Sequence, residues 1–360
     1  LTGVTQRRSV NLAPQGQARV ALDLSAGELV GRGAVLWEAV FTSGSRQLDR
    51  VTLTQPLPVQ CPSAFTTEHQ LTILKSGQKI TITNDVHQPG KLMGLGVTVG
   101  SDALLQLATA LKWVIGYPYG CVEQTTSRLM PLYLLQRNGA PAASLAQTTP
   151  AELEGFVREG IERLYSMQTA SGGLGYWPGD TSPCDYGSVY ALHFLTLVKN
   201  DRQIPLDEKR YKALQGYVRQ LVSGPQGSQS DSGLYQRAYC TYVLTLGGAA
   251  DSLKQIERFD HTPMPRSARY LLAAALARVT GDVQRVKKYL ATAPSKPWDA
   301  EEYDMTFNSP VRATAVELMA LCQTQSPDSL TLEQHAGALL TYLRERQDYW
   351  TTQQTAFAVT

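Results

Sequence analysis

The spacing of apolar and polar residues changes from a period of two to a helical period near residue 100. In the first part, short apolar runs and alternating segments separated by glycine and proline predict β-strands. These strand-like segments fall at residues 20–24, 34–41, 51–55, 71–74, 79–83 and 97–99. Pro56, Pro58 and Pro62 predict a boundary between two groups of strands, and Ser76-Gly77 predicts a hairpin turn. We therefore expect pieces of antiparallel β-sandwiches before residue 100.

The rest of the chain shows the spacing of α-helices separated by short Gly, Pro and Ser breaks. Helical segments fall at residues 104–115, 121–133, 149–167, 186–199, 207–222, 232–246, 252–259, 266–280, 283–292, 310–323, 331–346 and 351–360. Some, such as 186–197 and 235–246, are apolar on most faces, whereas 207–222 and 331–346 are amphipathic. Because an all-apolar helix is buried and an amphipathic helix lies outside, the pattern predicts an inner layer wrapped by an outer one. An (α/α)6 toroid satisfies this, and an open helical solenoid is the alternative.

Composition excludes several classes of protein. Lys and Arg total 33 against 31 Asp and Glu, and this near balance argues against a nucleic-acid or anionic-membrane binder. Hydrophobic residues make up 43%, too many for a disordered chain, and no apolar run approaches the ~18 residues of a membrane span. Since the chain begins at Leu1 and ends within an apolar helical pattern, we expect a piece of a longer protein.

The chain has five cysteines, an odd number, and none are spaced as Cys-x-x-Cys. This argues against a zinc site or a dense disulfide framework, so we predict no metal and no cofactor. Cys240 and Cys322 lie in apolar helical patterns and are predicted to be core thiols. Cys61 and Cys184 lie beside prolines and are free or paired, which leaves Cys121 as the candidate for chemistry.

Cys121 belongs to the segment Gly-Tyr-Pro-Tyr-Gly-Cys-Val-Glu-Gln-Thr-Thr-Ser-Arg, residues 116–128. If a helix begins there, Cys121 and Gln124 project from the same side of its first turn. The unpaired N–H groups of that turn favour a thiolate and polarise a carbonyl. The sulfur can then attack the Gln124 amide carbon and expel ammonia, giving an internal thioester. The competing interpretation is a buried helix-start thiol beside a surface amide.

A thioester persists only where water is excluded. Tyr117 and Tyr119 lie on the turn before Cys121 and are predicted to shield the bond, or else simply to pack. Glu123 has two interpretations, a catalytic base or a carboxylate favoured by the helix dipole. His193 lies in an apolar helix and is predicted to be a core histidine rather than a catalyst.

The segment around Cys121 resembles the thioester segment of bacterial α2-macroglobulins, relatives of the thioester-containing complement components. Gly-Gly-Leu-Gly-Tyr-Trp-Pro at 172–178 and Tyr-Trp-Thr-Thr-Gln-Gln-Thr-Ala at 349–356 are also similar to motifs of that family. The resemblance implies an (α/α)6 toroid thioester domain over residues 101–360, inserted into a CUB-like β domain. Residues 61–100 are then the first half of that CUB-like domain, and residues 1–60 end a macroglobulin-like β-sandwich.

The family resemblance also implies a function, that of a broad-spectrum protease inhibitor rather than an enzyme. After a protease cuts a bait region, a protease lysine attacks the Gln124 acyl carbon and releases the Cys121 thiol. In the family the tyrosines before the cysteine, here Tyr117 and Tyr119, shield the bond. No histidine matches the local context of the catalytic histidine of complement proteins, so we expect direct amine attack.

The implied partners are target proteases and a peptidoglycan synthase, with no nucleic acid and no membrane insertion of this segment. The implied location is the periplasm, with the full-length protein anchored by lipid to the inner membrane as a defence protein.

Two other functions compete with this one. An (α/α)6 enzyme such as a glycosidase needs paired carboxylates on inner helices. Residues 235–246 contain none, and residues 310–321 contain only Glu317. A non-reactive scaffold that has kept the motif is the other possibility.

Overall fold

The computed structural model describes residues 5–23, 31–59, 77–81, 114–115, 120–137, 149–201, 204–223, 230–294, 307–324, 329–345 and 351–359. Contacts divide the chain into two compact units, Leu1–Gln70 and Leu71–Thr360. Of the predicted CUB-like segment 61–100, only residues 77–81 fall in the described part of the chain.

The first unit contains an antiparallel hairpin of β1 (Gly31–Ser43) and β2 (Arg46–Val59). Gly44 has a φ of 61° in the turn, a left-handed conformation that favours glycine. Across the strands Trp37 pairs with Leu53, and an ion pair joins Glu38 to Arg50. Large apolar side chains along this hairpin remain exposed in this unit, among them Leu36 at 67% and Leu53 at 60%.

Three β predictions are wrong in detail. Residues 20–23 are not in a strand, because alternation produces a strand only where a partner forms a ladder with it. Pro56 and Pro58 lie inside β2, opposite Ala34 and Arg32, rather than at a boundary. A two-stranded sheet has a free edge along each strand, where a missing N–H costs no ladder bond. Beyond the turn at Gly77, residues 79–81 are not in a strand.

The second unit is helical, as its periodicity predicts. Within the described residues its helices are α1 (Val122–Arg137), α2 (Pro150–Ser166), α3 (Asp185–Asp201), α4 (Glu208–Ser223), α5 (Asp231–Leu246), α6 (Ser252–Glu257), α7 (Arg266–Thr280), α8 (Val283–Leu290), α9 (Pro310–Cys322), α10 (Ser329–Glu345) and α11 (Thr352–Val359). These correspond to eleven of the predicted helical segments. For the first predicted segment, 104–115, only residues 114–115 are described, and both are helical.

Buried and amphipathic helices alternate along the chain, as predicted. Helices α3, α5, α7, α9 and α11 are buried over most of their faces, whereas α4 and α10 alternate buried and exposed positions. Each helix contacts the next in the series α1, α3, α5, α7, α9 and α11. The last helix of the series, α11, also packs on α1. The helices between them pack on the outside of this series, such as α4 on α3 and α5, and α10 on α9. The core of the unit is therefore built around six helices whose last member contacts the first, and buried residues of the outer helices complete it.

A local capping interaction fixes the start of α2. At α2, the Thr149 hydroxyl accepts from the Glu152 N–H at 3.3 Å and the Glu152 carboxylate accepts from the Thr149 N–H at 2.9 Å. This is the predicted capping box, with Pro150 in the first turn where its missing N–H costs nothing. In the described part of the chain, every helix is too short or too polar to cross a bilayer.

Candidate functional site

The start of α1 is held by contacts from two other segments. The Gly120 carbonyl accepts hydrogen bonds from Arg163 of α2, Nε at 3.0 Å and Nη2 at 2.8 Å. The Val122 N–H donates to the Tyr176 carbonyl at 3.0 Å. On another side, a Cβ at Gly187 of α3 would lie 2.4 Å from Val122 Cγ1, so only glycine allows this approach. Cys121 is thereby fixed between α2, α3 and the loop that carries Tyr176.

Cys121 and Gln124 meet across this first turn. The Gln124 N–H points at the Cys121 sulfur at 3.5 Å, and the Cys121 N–H donates to Gln124 Oε1 at 3.3 Å. Cys121 is 0% exposed, and Gln124 is partly buried. The spacing thus places the thiol and the amide side chain on the same turn at a helix start, each bonded to the backbone N–H of the other residue. Proximity of this kind favours acyl transfer between two groups.

The electrostatics of Cys121 differ from the expectation for a helix start. Burial raises the pKa of the Cys121 thiol, and this effect outweighs the hydrogen bonds from the Gln124 N–H and the Tyr176 hydroxyl that lower it. The nearby Glu123 carboxylate raises the pKa further. The prediction that the helix start favours a thiolate is therefore wrong in its net direction, because desolvation dominates.

Tyr176 is the residue that sequence reasoning missed. It belongs to the Gly-rich segment 172–178, which the sequence marks only by its similarity to a family motif. Its backbone carbonyl accepts from the Val122 N–H at 3.0 Å, and its side chain lowers the pKa of the Cys121 thiol. The sequence offers one signal, a tyrosine inside a glycine-rich loop, where the backbone can approach another segment closely. The sequence does not reveal that this loop lies against Cys121.

Glu123 is buried under the turn, 4% exposed, and accepts hydrogen bonds from hydroxyl groups. Ser127 Oγ donates to Oε1 at 2.7 Å, and Thr352 Oγ1 contacts Oε1 at 2.8 Å and Oε2 at 3.0 Å. Burial raises the pKa of this carboxyl, while the two hydroxyls and Arg312 oppose the rise. The observed contacts give Glu123 the role of joining α1 to α11. The alternative role of a base stays a prediction.

Arg312 of α9 occupies the centre of the unit, 0% exposed. Its Nη2 donates to the hydroxyls of Tyr186 at 2.6 Å and Tyr235 at 2.7 Å. Its guanidinium also lies over the rings of Tyr186, Tyr235 and Phe357, at 5.0–5.3 Å from their centroids. In the described part of the chain no carboxylate forms an ion pair with it. Tyrosine hydroxyls and ring faces replace water around this cation.

The structure gives mixed outcomes for the other predicted residues. Tyr117, Tyr119 and Cys61 lie outside the described residues. Cys240 is a buried free thiol and Cys184 is free, whereas Cys322 is exposed, so its assignment to the core is wrong. Cys322 is the last residue of α9, where the buried face of the helix ends.

His193 is confirmed as a core residue. It is 1% exposed, and its Nδ1 lies 2.9 Å from the Tyr239 hydroxyl. The described residues contain no group of His, Cys, Asp and Glu side chains that could hold a metal ion.

Comparisons with known proteins identify similar chains. No family model matches this sequence. It is 23% identical to an alpha-2-macroglobulin homolog of Yersinia pestis over 310 residues, 82% of this chain and 15% of that protein. It is 31% identical to an alpha-2-macroglobulin of Ralstonia nicotianae over 142 residues, 38% of this chain and 9% of that protein. The chain therefore spans 15% or less of the length of these curated relatives.

Solved structures show the same fold. Native alpha-2-macroglobulin from Escherichia coli, spanning domain MG7 to the C-terminus, matches with a TM-score of 0.59 at 21% identity, over 70% of this chain and 41% of that chain. Salmonella alpha-2-macroglobulin reacted with methylamine matches with a TM-score of 0.59 at 18% identity, over 92% of this chain and 25% of that chain. The mainly helical fold with a small β-sheet and the resemblance to bacterial α2-macroglobulins are thus confirmed.

Proposed function

We propose that this chain is the acyl-transfer segment of a bacterial protease inhibitor of the α2-macroglobulin type. Cys121 and Gln124 form an internal thioester, and this bond captures attacking proteases covalently. The observation that carries the proposal is that these two side chains share the first turn of α1, each bonded to the backbone N–H of the other residue, with Cys121 fully buried.

The chemistry takes two steps. First, Cys121 Sγ attacks Gln124 Cδ, the C–N bond of the amide breaks, and ammonia leaves. Later, the amine of a protease lysine attacks the same carbon, the C–S bond breaks, and the sulfur takes up a proton. The products are an amide between Gln124 and the lysine and a free Cys121 thiol. Because the two reacting groups are held on one helical turn, the first step avoids the entropic cost of an encounter.

The choice of proteases as targets is supported by what similar proteins react with. One solved structure shows the Escherichia coli alpha-2-macroglobulin activated by porcine elastase, and another shows it activated by trypsin. The Salmonella protein was reacted with methylamine, a small primary amine. A site that transfers an acyl group to amines can react with methylamine as well as with the lysine of a protease. No feature of the described residues points to a peptidoglycan synthase.

The proposal extends to architecture and location. Residues 101–360 form an (α/α)6 toroid, a view supported by the closed series of contacts from α1 through α11. Residues 61–100 begin a CUB-like domain, and residues 1–60 end a macroglobulin-like sandwich. By the family resemblance, the whole protein works in the periplasm, with its full-length form anchored by lipid to the inner membrane. Tyr117 and Tyr119 shield the thioester on the turn that precedes it.

Intact-mass spectrometry tests the thioester directly. We expect the protein to be lighter than its sequence by one ammonia, and methylamine to add to Gln124 while releasing the Cys121 thiol. A Cys121→Ala variant should show the full sequence mass and capture no protease, while Cys240→Ala, which removes a buried thiol elsewhere, should behave like the unsubstituted protein. Full sequence mass and no methylamine uptake would instead indicate a non-reactive scaffold.

A further inference from the structure

The peptide group between Gly120 and Cys121 is hydrogen-bonded at both of its polar ends. Its carbonyl oxygen accepts from the Arg163 guanidinium, Nε at 3.0 Å and Nη2 at 2.8 Å. Its N–H, which belongs to Cys121, donates to Gln124 Oε1 at 3.3 Å. A continuous chain of hydrogen bonds therefore runs from a cation, through one peptide group, to the oxygen of the proposed acyl carbon.

Arg163 has no competing ion partner. Both of the N–H groups that it uses point at one carbonyl, and no carboxylate of the described residues pairs with its charge. A Cβ at Gly120 would lie 2.8 Å from both Nε and Nη2, so the guanidinium comes this close because residue 120 is glycine. A carbonyl that accepts from a cation polarises its peptide group, which makes the N–H at the other end a stronger donor.

The Cys121 N–H points at the atom on which acyl transfer places negative charge. When sulfur or an amine attacks Gln124 Cδ, the electrons of the C=O double bond move onto Oε1. A donor already placed at such an oxygen stabilises the transition state, and a charged acceptor draws its donor closer than a neutral one does. The N-terminus of α1, where this N–H lies, also favours negative charge. These positions meet the requirement for an oxyanion donor with a cation behind it.

We propose that the Cys121 N–H is the oxyanion donor of the acyl transfer, and that Arg163 is the positioning residue that orients and polarises it. This inference rests on the proposed thioester. The amine nitrogen bonds to Gln124 Cδ, and the π electrons of the carbonyl move to Oε1. As they return, the C–S bond breaks, its electron pair stays on sulfur, and the proton lost by the amine finally protonates that sulfur. Arg163 exchanges no proton and acts only through the peptide group.

The first arm of the test is the rate of methylamine-driven thiol release in an Arg163→Met variant. Methionine keeps an unbranched side chain on α2 and removes the cation, while the Cys121 N–H stays in the chain. Because Arg163 is exposed and solvent screens its charge, we expect release about 3- to 10-fold slower, a smaller effect than the loss of a whole oxyanion donor. Arg158→Met, at an exposed arginine of the same helix paired with Glu154, is the matched control and should react at the unsubstituted rate.

Arg163→Lys separates this role from simple support of the turn. Lysine keeps a cation that can donate to the Gly120 carbonyl, so its rate should lie between those of Arg163→Met and the unsubstituted protein. A role confined to holding the turn in place predicts the opposite change in Arg163→Met, because a loosened turn admits amine and the thioester reacts faster. An unchanged or faster release in Arg163→Met, or no recovery in Arg163→Lys, overturns the proposal.

The second arm does not depend on the thioester. After methylamine treatment residue 124 carries an amide oxygen whether or not a thioester was present, so the hydrogen bond from the Cys121 N–H can be followed by ¹H–¹⁵N NMR. With ¹⁵N-labelled cysteine the five cysteines give one amide cross-peak each, and the peak of Cys121 is assigned by its loss in Cys121→Ala. A weaker hydrogen bond moves an amide proton upfield, so we expect an upfield shift in Arg163→Met and none in Arg158→Met.

The two arms distinguish a failure of this inference from a failure of the thioester. An unmoved Cys121 cross-peak in Arg163→Met overturns the role of Arg163. A moved cross-peak, with no methylamine uptake by the unsubstituted protein, overturns the thioester and the transfer step but leaves Arg163 as the residue that polarises this peptide group.

Discussion

Glu123 and Glu317 are both buried carboxylates in the helical unit, at 4% and 0% exposure, and their partners differ. Glu317 of α9 pairs with the Arg266 guanidinium, Nη2 at 2.6 Å, and with His335 Nε2 at 3.1 Å, which is a cation only when protonated. Glu123 of α1 has hydroxyl partners, Ser127 and Thr352. Glu317 is therefore held by an ion pair, whereas Glu123 is held by hydrogen bonds from neutral hydroxyl groups.

The difference separates a structural site from the site beside the thiol. The Glu317 cluster joins α7, α9 and α10, and its carboxylate is fully engaged, so it does not provide the paired catalytic acids of a glycosidase. At Glu123, burial raises the pKa of the carboxyl, and the hydroxyls of Ser127 and Thr352 oppose that rise. The same residue type is therefore held by an ion pair in one place and by hydroxyl hydrogen bonds beside the thiol in the other.

The largest effect should come from Glu317→Gln. This substitution leaves Arg266 and His335 partly buried without their anion, and we expect the free energy of unfolding to fall by about 3 kcal/mol. Urea denaturation measures it. The control is Glu257→Gln, which breaks an exposed ion pair with Arg285 and should cost about 0.5 kcal/mol or less. Equal losses in the two variants would mean that the buried cluster is no stronger than a surface pair.

Thr352→Val should have the next largest effect. Valine keeps the shape of threonine but removes the hydroxyl that donates to Glu123, leaving the buried carboxyl short of a partner. We expect a loss of about 1–2 kcal/mol in the free energy of unfolding. Thr341→Val, at an exposed hydroxyl bonded within its own helix, is the matched control and should change little. A loss no larger than in the control would show that the Glu123–Thr352 contact does not join α1 to α11.

The third prediction concerns the pH dependence of Glu123. Because burial raises the folded-state pKa of this carboxyl above 4.5, the unfolded chain loses the proton first as pH rises. The folded state then binds more protons, so stability should fall as pH rises from 4.5 through the folded pKa and remain lower above it. In Glu123→Gln this decrease should be absent, while Glu154→Gln, at an exposed pair with Arg158, should retain it. Parallel stability-versus-pH curves for wild type and Glu123→Gln would contradict the raised pKa.

The smallest effect should come from His335, in a higher pH window. Its hydrogen bond to Glu317 raises its pKa above 6.5, although burial and Arg266 oppose this. Nδ1 lies 2.8 Å from the Thr331 carbonyl, and the Tyr270 ring packs beside the imidazole. The stability from the His335–Glu317 pair should be complete below pH 6.5 and decrease as pH rises through the folded pKa. His335→Gln should flatten the curve above pH 6.5 and leave the Glu123 window unchanged, and a curve that keeps its slope would exclude His335 as its source.

The sequence predicts the helical unit well because its signals are local. The capping box at Thr149 and the apolar faces of α3 and α5 each depend on residues within a few turns, and both are confirmed. The first turn of α1 also follows from spacing alone, since Cys121 and Gln124 are three residues apart.

What the sequence does not predict depends on distant contacts. Tyr176 lies against Cys121 through the path of a loop, and the net pKa of that thiol depends on burial that the helix-start argument ignores. The β predictions fail for a similar reason, because a strand such as the one expected at residues 20–24 exists only if a partner pairs with it. Periodicity identifies which face of an element is apolar, but not what will cover it.

The contact between Glu123 and Thr352 has a consequence for the order of events during synthesis. The two residues are 229 positions apart. At ~5–20 residues per second on the ribosome, Thr352 is made about 10–45 s after Glu123. Until then the carboxyl lacks its hydroxyl partner, and α1 lacks the helix that packs on it at the end of the series. In a nascent chain the first turn of α1 therefore stays without this contact, within reach of chaperones and solvent, until α11 has been made.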